Sequence, residues 1–524
     1  MGKYLNVGNA GFVSVRKGKY VDKTGLISYI NTTLGTMHKL TCVSRPRRFG
    51  KSFAAKMLCA YYDKSCDSGE LFEDLKIAED ESYEKYLNKY DVIYLDISLF
   101  IASTENMKDV VSNLQVKVLE ELRESYKEVK QEQTLYETLS NITDATGNKF
   151  IIIIDEWDAL FREAKNDTEL QKQYIKLLRS LFKSSLTDKT IEAAYMTGIL
   201  PIKKYGTQSA LTDFEEYTML QPEPLEEYVG FTEEEVISLC EESTLDFSEI
   251  KSWYDGYILG NDMHVYSPKS VLDAMRKNRL GSYWTQTETY ESLKIYIDMD
   301  EDGLKESIVQ MLGGASCKID IGTFQNDMTN MERKDDVLTL LVHLGYLTYH
   351  SYDKTVSIPN EEVKQEFVRA VMAGKHKEIA KLIRHSEKLF EETLNMNGEA
   401  VAGEIEKAHS EGTSPHFYNN EQALRSVIKF AYLSLVDDYV TIEELPTGKG
   451  YADIVYLPKA GSHYPILLVE LKWNKTEDGA IGQIKKNNYP QVLEKFEKEI
   501  LLVGINYDEK SKKHTCVIEK YKRI

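Results

Sequence analysis

Two stretches of the sequence place phosphate-binding and metal-binding residue types directly after apolar strand candidates. The stretch "VSRPRRFGKSF" (residues 43–53) ends in Gly50, Lys51 and Ser52, the last three positions of the pattern GxxxxGK[ST]. In that pattern backbone N–H groups surround phosphates, the lysine neutralises them and the hydroxyl binds Mg²⁺. The strand candidate "KLTCVS" precedes the loop and the helical "SFAAKMLCAYY" follows it, which is the context that the pattern requires. We therefore predict a nucleotide phosphate site at this loop.

The entry of this loop departs from the pattern, because Arg45 occupies the position of the first glycine. Arg45 and Pro46 predict a loop that is less tightly curled at its start. Arg47, Arg48 and Phe49 complete the loop, and we count them among the candidate nucleotide contacts. For the two arginines at 47 and 48, contact with phosphate and a role in holding the loop both stay open.

The second stretch, "FIIIIDEWDAL" (150–160), is an apolar strand candidate that ends in Asp155 and Glu156. In P-loop NTPases an acid after the strand holds Mg²⁺, often through water, and a glutamate can orient the attacking water. Thr197 ends the next strand candidate, in "AAYMTGILPI", where a polar side chain can sense the γ-phosphate. Each motif alone has a plain structural alternative. Together they predict binding of ATP with Mg²⁺, which Ser52 and Asp155 would hold, and hydrolysis assisted by Glu156.

A third set of residues lies near the carboxyl terminus, in "GKGYADIVYLPKAGSHYPILLVELKWNK". The pattern predicts a hairpin with Asp453 on its first strand and Glu470 and Lys472 on its second. Residues two apart on a strand share a face, so Glu470 and Lys472 point the same way and Asp453 can meet them across the hairpin. Two carboxylates and a lysine suit a Mg²⁺ or Mn²⁺ site that activates water for attack on a phosphodiester. The alternative is an exposed ladder of salt bridges.

Two flanking segments carry further candidates for this site. Glu421 begins the helical run "EQALRSVIKFAYLSL" and is a candidate metal ligand, with an acid that merely favours the helix dipole as the alternative. Gln483 lies in "AIGQIKKNNYPQVL", a predicted helix, near Lys485, Lys486 and Tyr489. Such groups can contact a nucleic-acid backbone. We therefore count Gln483 among the catalytic candidates and expect nucleic acid as the partner.

The elements that must position these residues follow from the pattern of apolar residues. From Lys39 to about Gln221 the strand candidates "KLTCVS", "DVIYLDIS", "KFIIIIDE" and "IEAAYMTGIL" alternate with amphipathic helices, which predicts an α/β fold with a doubly wound parallel sheet. Residues 222–295 turn helical and predict a lid, with Thr232 and Glu235 as a capping box. Residues 296–375 run helix, Gly345 C-cap, hairpin and helix, an order compatible with a winged helix. Residues 376–524 predict a separate α/β domain.

Composition is typical of globular proteins. The 524 residues are 42% hydrophobic and 28% charged. The sequence contains no run of 18 or more apolar residues, the length needed to span a bilayer, so we expect no membrane partner. The amino terminus lacks the apolar core of a secretory signal and the six cysteines are scattered, so we expect reduced thiols in a cytoplasmic protein. A net charge of -19 opposes non-specific attraction to nucleic acid, which would need a local basic surface.

With these segments assembled, the chain resembles a prokaryotic family of AAA-ATPase-like proteins that carry a carboxyl-terminal PD-(D/E)XK nuclease domain. The resemblance covers nearly the whole chain and is carried by "YVDKTGLI", "SRPRRFGKS", "IIIIDEWDAL", "TGILPIKKYGTQSALTDFEEYTM", "WYDGYILGNDMHVYSP", "LLVHLGYLT", "IPNEEV", "GYADIVYLP", "VELKW" and "QIKKNNY". It implies an AAA-like P-loop core over residues 1–221 and a restriction-endonuclease-like domain at the carboxyl end.

The resemblance also implies roles for single residues. It implies that the missing first glycine is a family trait. It also implies that the amino-terminal module keeps the residues that bind phosphate, hold the metal ion and orient the attacking water. In the nuclease pattern Asp453, Glu470 and Lys472 match the core acids and lysine, and Gln483 matches the accessory helix residue. Ala452 replaces the proline of the namesake motif, which removes no ligand.

Two functions from different classes follow. The first is a Mg²⁺-dependent nuclease whose access to nucleic acid is gated by ATP. The second is an ATP-dependent regulatory switch whose nuclease-like domain binds nucleic acid or protein without cleaving it. The presence of all the acidic residues that the nuclease pattern requires favours the nuclease. DNA is the favoured partner although the residues do not separate it from RNA, and P-loop modules often assemble, so a homo-oligomer is compatible with the sequence.

Overall fold

The computed structural model describes residues 2–521 apart from 203, 206, 207, 210, 285–289, 300–302, 326–330, 332, 374–376, 413–420, 447–450, 459–461, 488 and 497. The chain divides into two compact units. Unit 1 comprises Met1–Leu239, Tyr257–Leu272 and Ile319–Lys354, and unit 2 comprises Cys240–Gly256, Asp273–Lys318 and Thr355–Ile524. The four consecutive domain ranges expected from the sequence stay predictions.

Strands occur in all three thirds of the chain, and those of only two residues lie in the middle third. In chain order they are β1 (Leu40–Ser44), β2 (Asp91–Asp96), β3 (Phe150–Asp155), β4 (Ile191–Gly198), β5 (Lys204–Tyr205), β6 (Gln208–Ser209), β7 (Glu215–Tyr217), β8 (Phe231–Thr232), β9 (Tyr257–Leu259), β10 (Met263–Tyr266), β11 (Cys317–Lys318), β12 (Thr348–His350), β13 (Thr355–Ser357), β14 (Tyr439–Pro446), β15 (Tyr451–Pro458), β16 (Ile466–Trp473), β17 (Ile500–Asp508) and β18 (Lys513–Lys520).

The α-helices connect and cover these strands. In chain order they are α1 (Ala10–Arg16), α2 (Gly25–Thr33), α3 (Lys51–Tyr62), α4 (Gly69–Phe72), α5 (Tyr83–Tyr86), α6 (Ile97–Ala102), α7 (Val110–Ser125), α8 (Leu135–Thr146), α9 (Ala159–Glu163), α10 (Thr168–Phe182), α11 (Thr187–Thr190), α12 (Glu233–Glu241), α13 (Phe247–Tyr254), α14 (Pro268–Lys277), α15 (Tyr290–Ile297), α16 (Leu304–Leu312), α17 (Lys334–Leu344), α18 (Glu361–Ala373), α19 (Lys377–Leu394), α20 (Gly398–Gly412), α21 (Glu421–Ala431) and α22 (Glu477–Lys486).

Unit 1 is built on a five-stranded parallel sheet in the order β2-β3-β4-β1-β7. The four strands predicted from apolar runs are all present, and β1 and β3 are buried along their whole length, as strands covered on both faces should be. One apolar cluster joins the sheet to α7, α8 and α10 through Leu114, Leu139 and Leu178. In a parallel sheet the carboxyl ends of the strands meet at one edge, and here Asp155 pairs in register with both Asp96 and Thr197.

The segment predicted as a helical lid is mixed rather than purely helical. It contains α12 to α15 but also the strands of a small antiparallel sheet in the order β8-β10-β9. These strands are two to four residues long, too short for apolar alternation to reveal them. The predicted capping box is confirmed, because the Thr232 N–H donates to Glu235 Oε2 at 2.9 Å and the Glu235 N–H donates to Thr232 Oγ1 at 3.4 Å.

Unit 2 contains a five-stranded mixed sheet in the order β14-β15-β16-β17-β18. Only β16 and β17 run parallel, and the other neighbours are antiparallel. One face packs Val469 and Leu471 against helices α19, α20 and α21. The other face packs Ile466 and Leu468 against Ile481 of α22. An α/β fold with a parallel-sheet core and a second, carboxyl-terminal α/β domain is therefore confirmed.

Two further expectations concern the middle of the chain and the membrane. Helix α17 is capped at its carboxyl end by Gly345, which has a φ of 85°, as predicted. Two short strands and α18 follow, so the order helix, strands, helix is present, while the winged-helix assignment stays a prediction. Among the described residues, no helix combines the length and apolar content needed to cross a bilayer. The six cysteines are all free.

Candidate functional sites

The phosphate loop connects β1 to α3 at the carboxyl edge of the parallel sheet. Gly50 precedes α3 in a left-handed conformation with a φ of 93°, which glycine adopts without strain. Lys51 is buried, and its Nζ donates a 2.9 Å hydrogen bond to the carbonyl oxygen of Pro46. Burial lowers the pKa of the Lys51 ammonium, against the opposing charge of Glu156. The ammonium group therefore already lies against the loop, where phosphate oxygens can replace Pro46 as its partner.

Arg45, which takes the place of the first glycine, holds the end of β1. Its side chain is fully buried, and one guanidinium nitrogen donates to the carbonyl oxygens of Ser44, Tyr217 and Thr218 at 3.0, 3.1 and 3.0 Å. Burial lowers the pKa of Arg45 to about 10. A buried cation is tolerated only when hydrogen bonds replace water, and here backbone carbonyls supply them. Arg45 thus ties β1 to β7, a structural role that the sequence analysis did not recognise.

The three remaining loop candidates differ in exposure. Phe49 is buried, and its ring packs edge-on against Tyr257 of β9 with the ring centroids 5.1 Å apart. Arg47 is half-buried, whereas Arg48 is exposed and has a φ of 71°. Phe49 therefore supports the loop by packing, while the two arginine side chains are accessible to a ligand.

Asp155 ends β3 beside the phosphate loop. It is buried, and Oδ2 accepts a 3.3 Å hydrogen bond from the Tyr94 hydroxyl. Burial is the main cause that raises the pKa of Asp155 to about 6, and a hydrogen bond from the Ser52 side chain opposes it. The structure therefore brings together Ser52 and Asp155, the two residues predicted to share one Mg²⁺ ion, and a serine hydroxyl with a carboxylate is an oxygen donor set that fits this ion.

Glu156 is held by an arginine that the sequence analysis missed. It adopts a φ of 55°, uncommon for a residue other than glycine, and its carboxylate forms an ion pair with Arg162. The Arg162 Nε donates to Asp158 Oδ2 at 3.1 Å, and the same oxygen accepts the N–H groups of Ile199 and Leu200 at 3.1 and 2.9 Å. Arg162 therefore connects the predicted water-orienting glutamate to the segment after β4. The spacing of Asp158 and Arg162, four residues apart on a helical turn, is the sequence signal for this pair.

Thr197 lies at the sheet edge, in register with Asp155 on one side and Val43 on the other. It is buried, and its hydroxyl donates a 3.1 Å hydrogen bond to the carbonyl oxygen of Val43. Contact with a γ-phosphate stays a prediction, and it requires this hydroxyl to exchange its bond within the sheet.

Asp453, Glu470 and Lys472 come together on β15 and β16. Asp453 Oδ2 accepts the Leu471 N–H at 2.8 Å, across the hairpin. Lys472 Nζ donates to Glu470 Oε1 and to the Leu471 carbonyl oxygen, both at 2.9 Å. All three side chains are buried. The structure thus assembles the two carboxylates and the lysine that the hairpin pattern placed on one face.

Glu470 places one of its carboxylate oxygens in a buried position. Its Oε2 is buried, and within the described part of the chain no group donates a well-aligned hydrogen bond to it. Burial, and next the charge of Asp453, raise the pKa of Glu470 to about 7, against Lys472 and the Asp453 backbone amide. Buried carboxylate oxygens are normally paired, so this one can take up a proton or a cation. With Asp453 it forms an oxygen donor set that fits Mg²⁺ or Mn²⁺.

Gln483 lies on α22, the helix that packs beside these strands. Its Nε2 donates a 3.3 Å hydrogen bond to the buried Tyr489 hydroxyl, and the side chain is half-buried. Gly504 of β17 lies opposite Glu470 in register, and a Cβ at that position would meet the carbonyl oxygen of Glu477 at 2.7 Å. The glycine therefore permits the close approach of α22. No hydrogen bond among the described residues joins Gln483 to the acids or the lysine.

The remaining candidate, Glu421, begins α21, and its side chain lies outside the described part of the structure. One turn later, Arg425 donates a 2.9 Å hydrogen bond to Asp453 Oδ1, with 18% and 12% of the two side chains exposed. Arg425 was not among the site residues predicted from the sequence. Its only signal is a position four residues after Glu421 on an amphipathic helix, which by itself does not indicate a partner 28 residues away.

Comparison with known proteins agrees with this arrangement. Residues 7–207 match a family model described as predicted AAA-ATPase, and residues 419–516 match one described as PD-(D/E)XK nuclease superfamily. No curated protein matches the chain significantly.

Several solved structures align with the chain at low identity. They include the Walker-type ATPase paby2304 of Pyrococcus abyssi, at 14% identity and a TM-score of 0.33 over 66% of this chain and 94% of that one. The ORC2 protein of Aeropyrum pernix, in ADPNP-ADP complexes, aligns at 12% identity and a TM-score of 0.31 over 68% and 96%.

Proposed function

Because the chain joins a domain of the predicted AAA-ATPase family to a domain of the PD-(D/E)XK nuclease superfamily, we propose that it is a metal-dependent nuclease whose access to nucleic acid is controlled by ATP. The observation that carries the nuclease half is the buried Oε2 of Glu470, which lies beside Asp453 and Lys472 without a well-aligned donor among the described residues. Carboxylate oxygens in this arrangement are the ligands of a divalent cation in a site for phosphodiester hydrolysis.

In the nuclease site, Asp453 and Glu470 would hold the metal ion. Mg²⁺ or Mn²⁺ bound there supplies polarisation of the scissile phosphate and a lower pKa for a bound water. Lys472 is fixed by Glu470 and the Leu471 carbonyl, so its positive charge stays beside the acids and can stabilise the negative charge that develops on the attacking oxygen. Gln483 and the basic end of α22 would contact the nucleic-acid backbone.

In the ATPase site, the backbone N–H groups of residues 47–52 and the Lys51 ammonium would bind the phosphates. Ser52 and Asp155 would hold Mg²⁺, which neutralises charge that develops on the phosphates. Glu156 would accept a hydrogen bond from the attacking water, and Arg162 keeps the carboxylate of this glutamate in place. Binding or hydrolysis at this site would then control entry of nucleic acid to the nuclease site.

One observation favours a second candidate, an ATP-dependent switch with a nuclease-like domain that binds without cutting. Three of the four carboxylate oxygens of Asp453 and Glu470 already accept hydrogen bonds from within the chain, given by Arg425, Leu471 and Lys472. A domain that had lost catalysis could keep such internal pairs as structural contacts.

The two candidates separate in an experiment with two substitutions. Asp453→Ala should abolish cleavage of single- and double-stranded DNA and RNA in Mg²⁺ or Mn²⁺ while ATP affinity stays at the wild-type value. Lys51→Ala should weaken ATP binding by at least about ten-fold, since a phosphate partner is lost. Cleavage that persists in Asp453→Ala would contradict the assigned nuclease site, and unchanged ATP affinity in Lys51→Ala would contradict the assigned phosphate loop.

A further inference from the structure

Arg425 donates a hydrogen bond to Oδ1 of Asp453, one of the two carboxylates proposed to hold the metal ion. The second oxygen, Oδ2, accepts the backbone N–H of Leu471, which belongs to β16 and is paired in register with β17. A backbone group in the middle of a sheet cannot move without breaking that pairing. The hydrogen bond that a metal ion can replace is therefore the one to Oδ1, which Arg425 donates at 2.9 Å.

The charges of the site make Arg425 a competitor of the metal ion. Among the described side chains, the cluster holds two carboxylates, Asp453 and Glu470, and two cations, Lys472 and Arg425, whose formal charges sum to zero when Glu470 is ionised. A divalent ion that enters such a cluster is repelled by both cations, and the repulsion grows as the distance shrinks. Binding is favourable when one cation withdraws from the acids.

Arg425 is the cation that can withdraw. Lys472 donates to both Glu470 and the Leu471 carbonyl, and only 8% of its side chain is exposed. Arg425 comes from a helix rather than from the central strand, and 18% of its side chain is exposed. A guanidinium that leaves a carboxylate at this depth loses a favourable interaction with a negative charge, which another anion can restore.

We propose that Arg425 and the metal ion compete for Asp453 Oδ1, and that the displaced guanidinium binds a phosphate of the nucleic-acid strand. The planar fork of arginine fits two phosphate oxygens as well as it fits a carboxylate. This inference rests on the proposed nuclease function and adds to it a substrate-binding residue. It is an exchange of hydrogen-bond partners, without a covalent step.

The exchange couples the two ligands of the site. Nucleic acid draws Arg425 away and thereby opens Oδ1 for metal, and metal in turn releases Arg425 for phosphate, so each ligand should raise the affinity of the other. Removal of the guanidinium must then shift the two affinities in opposite directions. A structural role of Arg425 alone would weaken both or change neither.

The test measures metal and nucleic acid separately, without cleavage as the readout. Arg425→Gln should bind Mn²⁺ at least about three-fold tighter than wild type in titration calorimetry, because a repelling charge is gone. The same variant should bind fluorescein-labelled DNA and RNA oligonucleotides in Ca²⁺ at least about five-fold more weakly, because a phosphate contact is gone. Lys520→Gln removes an equal charge from an exposed pair with Glu499 and should leave both affinities within about two-fold of wild type.

Arg425→Gln with a wild-type melting temperature and equal or weaker Mn²⁺ affinity would overturn the proposal. Where Arg425→Gln fails to fold, Arg425→Lys decides, because it keeps the charge and loses the fork. Weaker oligonucleotide binding by Arg425→Lys supports the proposal, and unchanged binding overturns it. A wild-type chain that binds no Mn²⁺ contradicts the nuclease site itself, which is a different result from Mn²⁺ binding that is indifferent to Arg425.

Discussion

Arg162 fixes the carboxylate of Glu156 by bridging it to the buried Asp158. We predict that Arg162→Gln lowers kcat for ATP hydrolysis by about 10- to 100-fold, because a carboxylate that is no longer oriented positions water poorly. The Kd for ATP should change by less than about two-fold, since the phosphates are bound by Lys51 and the loop. Steady-state hydrolysis and equilibrium binding of a fluorescent ATP analogue provide the two values.

A matched control for this prediction lies on α10. Lys172 forms an exposed ion pair with Glu169, with 64% and 73% of the two side chains exposed, so Lys172→Gln should leave both values unchanged. If Arg162→Gln weakened ATP binding as much as it slowed hydrolysis, the arginine would be a support of the whole loop rather than of the glutamate.

Glu470 should make the stability of the chain depend on pH. Its pKa is raised to about 7 in the folded chain from the usual value of 4.5, chiefly by burial, so the folded state prefers the protonated carboxyl. This contribution to stability is complete below pH 4.5, falls as pH rises and is lost above pH 7. Glu470→Gln stays neutral, so relative to wild type it should gain about 1–3 kcal/mol between pH 5 and pH 8 in EDTA.

Urea unfolding of both chains at pH 5 and at pH 8 measures this change in relative stability. Any pH-independent effect of losing the contact with Lys472 is the same at both pH values and therefore cancels. Addition of Mg²⁺ at pH 8 should stabilise wild type and leave Glu470→Gln unaffected. Glu509→Gln, at an exposed position, should follow wild type throughout. Identical pH profiles for wild type and Glu470→Gln would show that Glu470 ionises without cost in the folded chain.

Helix α22 owes its position to one glycine of β17. A Cβ at Gly504 would lie 2.7 Å from the carbonyl oxygen of Glu477, 3.0 Å from Ile481 Cγ1 and 3.1 Å from Ala480 Cβ. Backbone atoms and buried side chains cannot move away from the added methyl group without a cost in free energy. Gly504→Ala should therefore destabilise the carboxyl-terminal domain by about 1–3 kcal/mol. Because the helix carries Gln483, nuclease activity should fall as well. Thermal unfolding followed by circular dichroism checks the first expectation.

Gly482 is the matched control, on α22 itself. A Cβ there would meet nothing within 4 Å, so Gly482→Ala should stabilise the helix by about 1 kcal/mol. If both alanine variants were equally stable, the close approach of α22 to β17 would not be a constraint of the fold.

The sequence predicted the long strands well and the short ones poorly, for physical reasons. β3 is six consecutive buried residues, so its apolar run was visible without any partner. β7 has three residues, of which Glu215 and Glu216 are only half-buried, and it depends on pairing with β1 and on the carbonyl contacts of Arg45. Such a strand is specified by tertiary contacts and leaves no periodic signal.

The same distinction applies to the candidate sites. Asp155, Glu156, Asp453, Glu470 and Lys472 stand at or near strand ends, where register follows directly from the chain, and they were found from spacing. Their arginine partners were not found, because a salt bridge such as that between residues 425 and 453 depends on where a helix packs. Long side chains that act across elements are the part of a site that a single sequence does not specify.

At the scale of the whole molecule, the phosphate loop belongs to unit 1 and the nuclease residues belong to unit 2. Control of one site by the other therefore requires a coupling free energy, which must be reciprocal. We predict that an oligonucleotide changes the Kd of ATP by the same factor by which ATP changes the Kd of the oligonucleotide. Fluorescence anisotropy with each ligand labelled in turn measures both factors, and a factor of one in both directions would contradict control of one site by the other.

The most direct test of metal-dependent, nucleotide-controlled cleavage compares wild type with Glu470→Ala. Both chains are incubated with single- and double-stranded DNA and RNA in Mg²⁺ or Mn²⁺, with and without ATP, and strand scission is followed on denaturing gels. We predict cleavage by wild type that needs the metal, changes with ATP and disappears in Glu470→Ala. Absence of cleavage by wild type under every condition, or equal cleavage by the two chains, would contradict it.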